Sequence, residues 1–495
     1  MRLLSFTYVF FVMGAALLTY LLPLKIRAWA LPVLSAAFLA FQPWECAASV
    51  LLISALCYAG GRWLEKTRPR KWPLIVLLAL LFGFLLLFKL APLVPALSFL
   101  QGRTPLGISY FTFMGAAYLV DVYRGKWTAE RNPVRLAGYL AFFPLLSQGP
   151  IEDVRHLMPQ LRAPHALDPA KFVSGVILML WGFFKKLVVA DRVGLFVGAV
   201  AAAAQEAPGW MILLAGMGYA CQLYADFSGG IDIVRGTAGI LGIDLLENFR
   251  RPFFSKTVGE YWRRWHITLG NWFRTYLFYP MVTSRAAVGC TSLLSGLIGK
   301  KTARVVPGAF ASLIVFVLIG VWHGFSLNAL WYGLYFGLLS ALAMLMDAPL
   351  KAFKKRFGIG KSRWFHALCI LRTLVLVVIA QFFAMAGGSL DGFQLIGRIC
   401  TAFGADTFLQ VQNTPGLTFS ALEWIIAGIG LLLLLAADLL AERSENKGKG
   451  RLCDRLAGSP LYIRWPVMFF LLFAVLIFGK YGSGADVSTF FYAGF

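Results

Sequence analysis

Charge is scarce in this 495-residue chain: Asp, Glu, Lys and Arg together make up 14% of it, against about 25% in soluble domains. Histidine is scarcer, with only five. The seven cysteines, Cys46, Cys57, Cys221, Cys290, Cys369, Cys400 and Cys453, form no C-x-x-C pair, and several sit inside apolar runs. They read as small hydrophobes, which excludes a zinc or disulfide framework. No G-x-S-x-G, phosphate loop or Ser/His/Asp arrangement is present, so the familiar soluble hydrolase and nucleotide-binding signatures are missing. No internal repeat is visible either, which removes positive support for an inverted-repeat transporter. What the chain has is apolar surface, with 59% hydrophobic residues. A soluble fold of this length needs more polar cover. The composition therefore points to an all-α, polytopic membrane protein and excludes disordered, collagen-like and disulfide-stapled secreted classes.

The charge that remains is one-sided: 46 basic against 23 acidic residues, a net +23. In a soluble protein that would suggest nucleic acid. Here the basic residues lie in short blocks between apolar runs, the pattern of cytoplasmic loops beside anionic lipid. Anionic lipids are therefore expected partners and nucleic acid is not.

A helix needs about 20 residues to cross the hydrocarbon core. The apolar runs predict about twelve spans: Phe6–Leu22, Ala28–Phe41, Ala47–Gly60, Trp72–Leu90, Pro105–Val122, Leu187–Ala204, Trp210–Tyr224, Val305–Trp322, Leu327–Met346, Trp364–Met385, Leu417–Leu440 and Trp465–Gly479. The run at Phe6 lacks a clear small-residue cleavage site and reads as a retained span. Three loops are strongly basic: one with Arg62, Lys66, Arg68, Arg70 and Lys71, one around Lys351–Arg363, and one around Arg443–Arg455. The positive-inside rule sends all three to the cytoplasm and leaves 91–104, 205–209 and 387–416 outside. Both termini then lie outside.

Three further apolar stretches, Leu136–Ser147, Phe172–Phe184 and Ile267–Val282, are flanked on both sides by basic residues. A crossing at Ile267–Val282 would reverse every later loop, so all three are expected to be re-entrant or interfacial helices entering from the cytoplasm. Irregular backbone at membrane depth survives only inside protein or beside a wet cavity.

His156, His165 and His366 read as loop or interface residues. His323 does not. It lies in Gly320-Val321-Trp322-His323-Gly324, the middle of an apolar hairpin with no Asp, Glu, Lys, Arg or other His from Val305 to Leu345. An ionisable side chain alone at that depth is costly and marks function. A neutral imidazole can take a proton from a hydroxyl, as a general base does, although a buried, hydrogen-bonded structural histidine would look the same. His266 follows Trp265 and would start a re-entrant element on the cytoplasmic side. The two imidazoles are expected to meet near the midplane, at a site reachable from both faces. The alternative for His266 is an interfacial belt with Trp262, Trp265 and Trp272. A third constellation, Asp226-Phe227-Ser228-Gly229-Gly230-Ile231-Asp232, is expected to cap a helix or to orient a histidine.

These blocks resemble the membrane-bound O-acyltransferases, and more narrowly their bacterial branch of alginate O-acetyltransferase-type and teichoic-acid D-alanyl-transfer proteins. The likeness is carried by Gly107-Ile108-Ser109-Tyr110-Phe111, Asp226-Phe227-Ser228-Gly229, and Asn248-Phe249 leading to Pro252-Phe253. It continues in Tyr261-Trp262-Arg263-Arg264-Trp265-His266-Ile267-Thr268 with Trp272 and Arg274, in Gly320–Gly324 with Asn328 and Trp331-Tyr332, and in the Phe-rich end Phe490–Phe495. Gly230, Ile231 and Thr275 depart from the branch's usual residues.

The resemblance implies a funnel-shaped helical bundle with a central tunnel, a single acyltransferase domain over 1–495 with core motifs at about 105–340 and peripheral helices at 1–90 and 364–495. It places the essential histidine at His323 and the branch's second histidine at His266. The implied reaction takes an acyl group, acetyl by preference, from a cytoplasmic thioester (acetyl-CoA or an acyl-carrier protein) toward a hydroxyl on an extracytoplasmic polysaccharide or on an SGNH-type partner. No tightly bound cofactor or metal is implied, and the location is the bacterial inner membrane. His323 would be the base, and His266 would hold the carbonyl or orient His323. Asp226, Ser228, Asn328, Trp322, Trp265 and Arg274 are candidate substrate-binding or orienting residues. The alternatives are D-alanyl transfer to teichoic acid, a flippase with a histidine proton relay, and a scaffold for soluble enzymes.

Overall fold

Long apolar runs with few breakers leave the backbone no partner but itself, and helices are the result. A computed structural model describes residues 2–164, 166–386, 390–404 and 420–481, the Lys361 side chain excepted, and every element of regular structure among them is helical. Eight helices among the described residues are long and apolar enough to cross a membrane, or nine if one bent pair counts as a span. That is fewer, among the described residues, than the twelve spans expected. Phe6–Leu21, Arg27–Ala40 and Ile108–Tyr123 are helices of 16, 14 and 16 residues, short for a crossing. His165, Phe490–Phe495, the start of the span at Leu417 and half of the 387–416 connection lie outside the described residues.

The chain divides into two units, the first comprising Met1–Val189, Ala225–Glu247 and Gly430–Phe495, the second Ala190–Tyr224 and Asn248–Ile429.

In the first unit, Ile108–Tyr123 is buried along nearly its whole length against Trp44–Thr67 and Trp72–Leu90. Small residues permit that approach, as is usual where lipid removes the hydrophobic drive between helices. A Cβ on Gly61 would stand 2.8 Å from the Tyr118 hydroxyl. The stretch Leu136–Ser147 is two short buried helices, Pro133–Leu140 and Phe143–Gln148.

Phe172–Phe184 corrects an expectation. It is not re-entrant; it is the first part of one 34-residue helix, Pro169–Ala202, with a π-helical stretch at Phe184–Ala190. Lys185 and Lys186, basic residues that flank this stretch in the sequence, lie inside the helix and are buried. Lys186 Nζ meets Asp226 at 2.6 Å, and Lys185 Nζ meets Asp232 at 2.7 Å and Ser228 at 2.8 Å. Paired charges lose their power to force a loop. Asp226 likewise caps nothing: it lies inside the helix Gly209–Ile240, which continues well past Tyr224.

In the second unit, Val306–His323 and Leu327–Leu345 form a close hairpin. A Cβ on Gly333 would stand 2.5 Å from the Phe316 carbonyl oxygen. Val258, Tyr332, Phe336, Ala380 and Phe383 form a buried cluster, with Trp262 and Phe316 packed on it. Ile267–Val282 is followed by Arg285–Ile298 after a bend of 56°. That bent pair fits either a broken span or the re-entrant element expected there.

Candidate active site

His323 closes the helix Val306–His323, and Gly324, with extended backbone at φ 175°, ends it. Ser326 then accepts the Ala329 amide at 3.1 Å and starts Leu327–Leu345. The hairpin thus carries a half-buried imidazole at its tip. The carbonyl end of a helix favours positive charge there.

His266 is held differently. It occupies the N-cap of Ile267–Phe273 with φ 45° and ψ 53°, a left-handed conformation that costs a non-glycine residue about 1–3 kcal/mol. Such a residue persists only where its surroundings over-determine it. Asn248, fully buried, supplies the constraint. Its main-chain oxygen accepts the Ile267 amide at 3.0 Å. Its side-chain Oδ1 accepts the Thr268 amide at 3.0 Å and the Thr268 hydroxyl at 2.9 Å, and lies 3.2 Å from His266 Nδ1. The Thr268 amide can only donate, so the shared Asn248 atom is the carbonyl oxygen. The His266 proton therefore sits on Nδ1, and a neutral His266 carries its lone pair on Nε2.

The two histidines come together in one unit. The Trp322 ring centroid lies 6.3 Å from that of His266 and 4.7 Å from that of His323. Tyr332 stands edge-on to His323 at 6.3 Å, and Gln381 is likewise buried. Behind His266, Trp265 is buried and stacks on Tyr261 at 5.6 Å, with Phe249 edge-on at 5.0 Å.

The remaining candidates are engaged elsewhere. Asn328 donates to the Ala386 carbonyl and accepts the Gly392 amide, each at 3.3 Å, and so joins the end of Arg363–Met385 to the start of Gly392–Thr401. Arg274 donates to Asn271 at 3.3 Å at the start of a π-helical turn, Arg274–Phe278. Asp226 and Ser228 belong to the other unit, where the two lysines hold them. Sequence reasoning named Asn248 only as part of a family-like block, with no role at the site, and did not name Gln381. A lone polar residue in a loop or an apolar helix gives no signal of its own.

A family model described as MBOAT, the membrane-bound O-acyltransferase family, matches residues 130–379. The chain is 30% identical over 359 residues to a probable alginate O-acetylase AlgI of Pseudomonas syringae pv. tomato, covering 71% of this chain and 62% of that protein. It is 28% identical over 274 residues to a teichoic acid D-alanyltransferase of Bacillus subtilis, covering 54% and 65%. It is 29% identical over 283 residues to a peptidoglycan O-acetyltransferase of Helicobacter pylori, covering 51% and 49%. The matched part thus spans less than two thirds of each of these relatives.

Proposed function

The chain belongs to the membrane-bound O-acyltransferase family, and from that premise we propose that it is a multi-pass acyltransferase of the bacterial inner membrane. It moves an acetyl group from a cytoplasmic thioester toward a hydroxyl for O-acylation of an extracytoplasmic polysaccharide. The observation that carries the reading is the pair of imidazoles joined through Trp322, one at a hairpin tip and one locked by Asn248.

In this reading His323 takes the proton of the attacking hydroxyl, on the acceptor or on an SGNH-type partner. The oxygen attacks the thioester carbonyl, the C–S bond breaks, and the proton passes to the departing thiolate. The products are an O-ester and a free thiol. The helix end at His323 stabilises the charge the ring holds meanwhile. A general base of this kind contributes about 10²–10⁴-fold.

The tautomer divides the two roles foreseen for His266. With its proton committed to Asn248, a neutral His266 accepts at Nε2 and has no second N–H for a carbonyl oxygen. Steering His323 is therefore its role. Trp322, whose ring neighbours both imidazoles, is assigned to the substrate-binding side of the site.

The experiment is acyl transfer by His323→Ala in membranes matched for protein amount and folding, with acetyl-CoA and a D-alanyl carrier protein offered as separate donors. Loss of transfer from acetyl-CoA supports the reading. Transfer by the wild type from the D-alanyl carrier alone moves the substrate to the teichoic-acid type. Unimpaired turnover by the variant ends the catalytic assignment. Substrate counterflow without acyl turnover would favour the flippase.

A further inference from the structure

A second feature lies within the first unit, and acyl transfer gives it no role. The start of Arg27–Ala40, the helix Pro133–Leu140 and the helix Val154–Arg162 enclose a cavity of about 170 Å³. Lys25, Trp29, Pro32, Arg135 and Arg162 are among its lining residues, and no acidic residue lines it. Arg162 is neutralised by the buried Glu130 and lies over the Trp127 ring at 6.0 Å. Arg135 lies over Trp29 at 6.0 Å. Neither Lys25 nor Arg135 makes an ion pair with a carboxylate among the described residues. Two positive charges thus border one small cavity without internal compensation.

The neighbours of these cations are apolar and exposed. Leu24 and Ile26 flank Lys25, each 46% exposed, and Val134, beside Arg135, is 50% exposed. Trp29 is 47% exposed. A basic cavity beside exposed aliphatic and indole surface matches the boundary between headgroups and acyl chains. The cavity belongs to the cytoplasmic side, since Arg131, which leads into Pro133–Leu140, pairs with Glu65 at 2.6 Å, near the end of Trp44–Thr67 that Arg62 and Lys66 send to the cytoplasm. That leaflet is the anionic one.

We propose that this cavity is a binding site for the phosphate of an anionic phospholipid, with Lys25 and Arg135 on the phosphodiester and the adjoining apolar surface against the acyl chains. A free phosphate offers the same charge but leaves the apolar surface unused, and the lipid is therefore the assigned source. The site goes beyond acyl transfer and does not depend on it.

The test uses the full-length purified protein in an uncharged detergent. Thermal unfolding is followed while phosphatidylglycerol, phosphatidylcholine or inorganic phosphate is added. A ligand bound only by the folded state raises the unfolding midpoint. Phosphatidylglycerol is expected to raise it above the phosphatidylcholine value. In a Lys25→Gln/Arg135→Gln variant, the concentration giving half that rise should increase about tenfold or more, because each basic group near such lipid contributes about that order. A Lys351→Gln/Lys355→Gln control in another basic segment should respond like the wild type. An unchanged response in the cavity variant overturns the site, as does the absence of a phosphatidylglycerol effect in the wild type. An equal rise with inorganic phosphate overturns the lipid assignment. Lys25→Gln alone, at an exposed position, carries the same comparison if the double variant does not purify.

Discussion

Asn248 Oδ1 lies 3.2 Å from His266 Nδ1 and accepts the Thr268 amide with the same atom, so one buried carbonyl fixes both a ring tautomer and a left-handed backbone. Asn248 is a positioning residue in this arrangement. Asn248→Ala should lower acyl transfer by no more than the about 10²–10⁴-fold that a general base supplies. Asn248→Asp keeps the acceptor but adds a negative charge, which favours the protonated imidazole. Its activity should therefore survive better than that of Asn248→Ala, with the acid limb of the pH–rate profile moved to higher pH. A profile in Asn248→Asp that overlays the wild type would leave Asn248 a purely structural part of the loop.

The buried pair Lys186–Asp226, 2.6 Å apart with both side chains under 5% exposed, makes a separate prediction. Removing one partner strands the other charge and costs about 3–5 kcal/mol, whereas replacing both with apolar residues is often neutral. Lys186→Met should lower the thermal midpoint and yield in detergent extracts, and Lys186→Met/Asp226→Leu should restore them. If the double variant is stable and active, Asp226 serves packing alone. If it is stable but inactive, Asp226 also serves the reaction.

The same lysines mark the limit of what the sequence discloses. Helical class and the hairpin around His323 follow from apolar runs and histidine scarcity, and of the expected meeting of His323 with His266 the structure shows that both rings neighbour Trp322. The helix Pro169–Ala202 does not, because two adjacent lysines look like a loop until their partners are known. Asp226 and Asp232 lie some 40 residues further along the chain. Asn248 is hidden for a related reason: its importance lies in four contacts made by one buried side chain and its carbonyl, which no spacing encodes. The twelve expected spans exceed the eight or nine long apolar helices among the described residues, because apolar runs do not reveal which short helices are enclosed by protein. Ile108–Tyr123, buried along almost its whole length, is such a helix.

His156 and Glu152 give the first unit a pH dependence. Their side chains meet at 2.8 Å, and Glu152 also accepts the Leu246 amide at 2.6 Å. The hydrogen bond to Glu152 raises His156 above the usual histidine value, against burial. Burial pushes the Glu152 carboxyl up, against the pull of His156. A raised histidine contributes stability that is complete below its unfolded value, near 6.5, and is lost as pH climbs through the folded value. The raised carboxyl acts in the same sense at lower pH. The 244–246 segment should therefore open more readily above pH 6.5, seen as faster amide exchange at Leu246 after correction for intrinsic rates. His156→Phe should flatten that dependence. Opening that stays constant or declines with rising pH would contradict the pairing.

Gly320 tests whether the hairpin must stay closed for His323 to work. A Cβ there would overlap the Ala329 carbonyl oxygen and stand 2.9 Å from the Gly333 Cα, both of them backbone that cannot rotate away. Gly320→Ala must push the two helices apart, and overpacking of this kind costs about 1–3 kcal/mol. Because His323 lies less than one helical turn beyond Gly320, the displacement reaches the imidazole directly. Acyl transfer should fall by more than the loss of folded protein explains, measured as turnover per folded molecule in the same membranes. Gly289→Ala, where the added methyl meets nothing within 4 Å, is the matched control and should leave both quantities unchanged. Equal turnover per folded molecule in Gly320→Ala and the control would show that the reaction tolerates a looser hairpin, and the closeness of these helices would then matter only for stability.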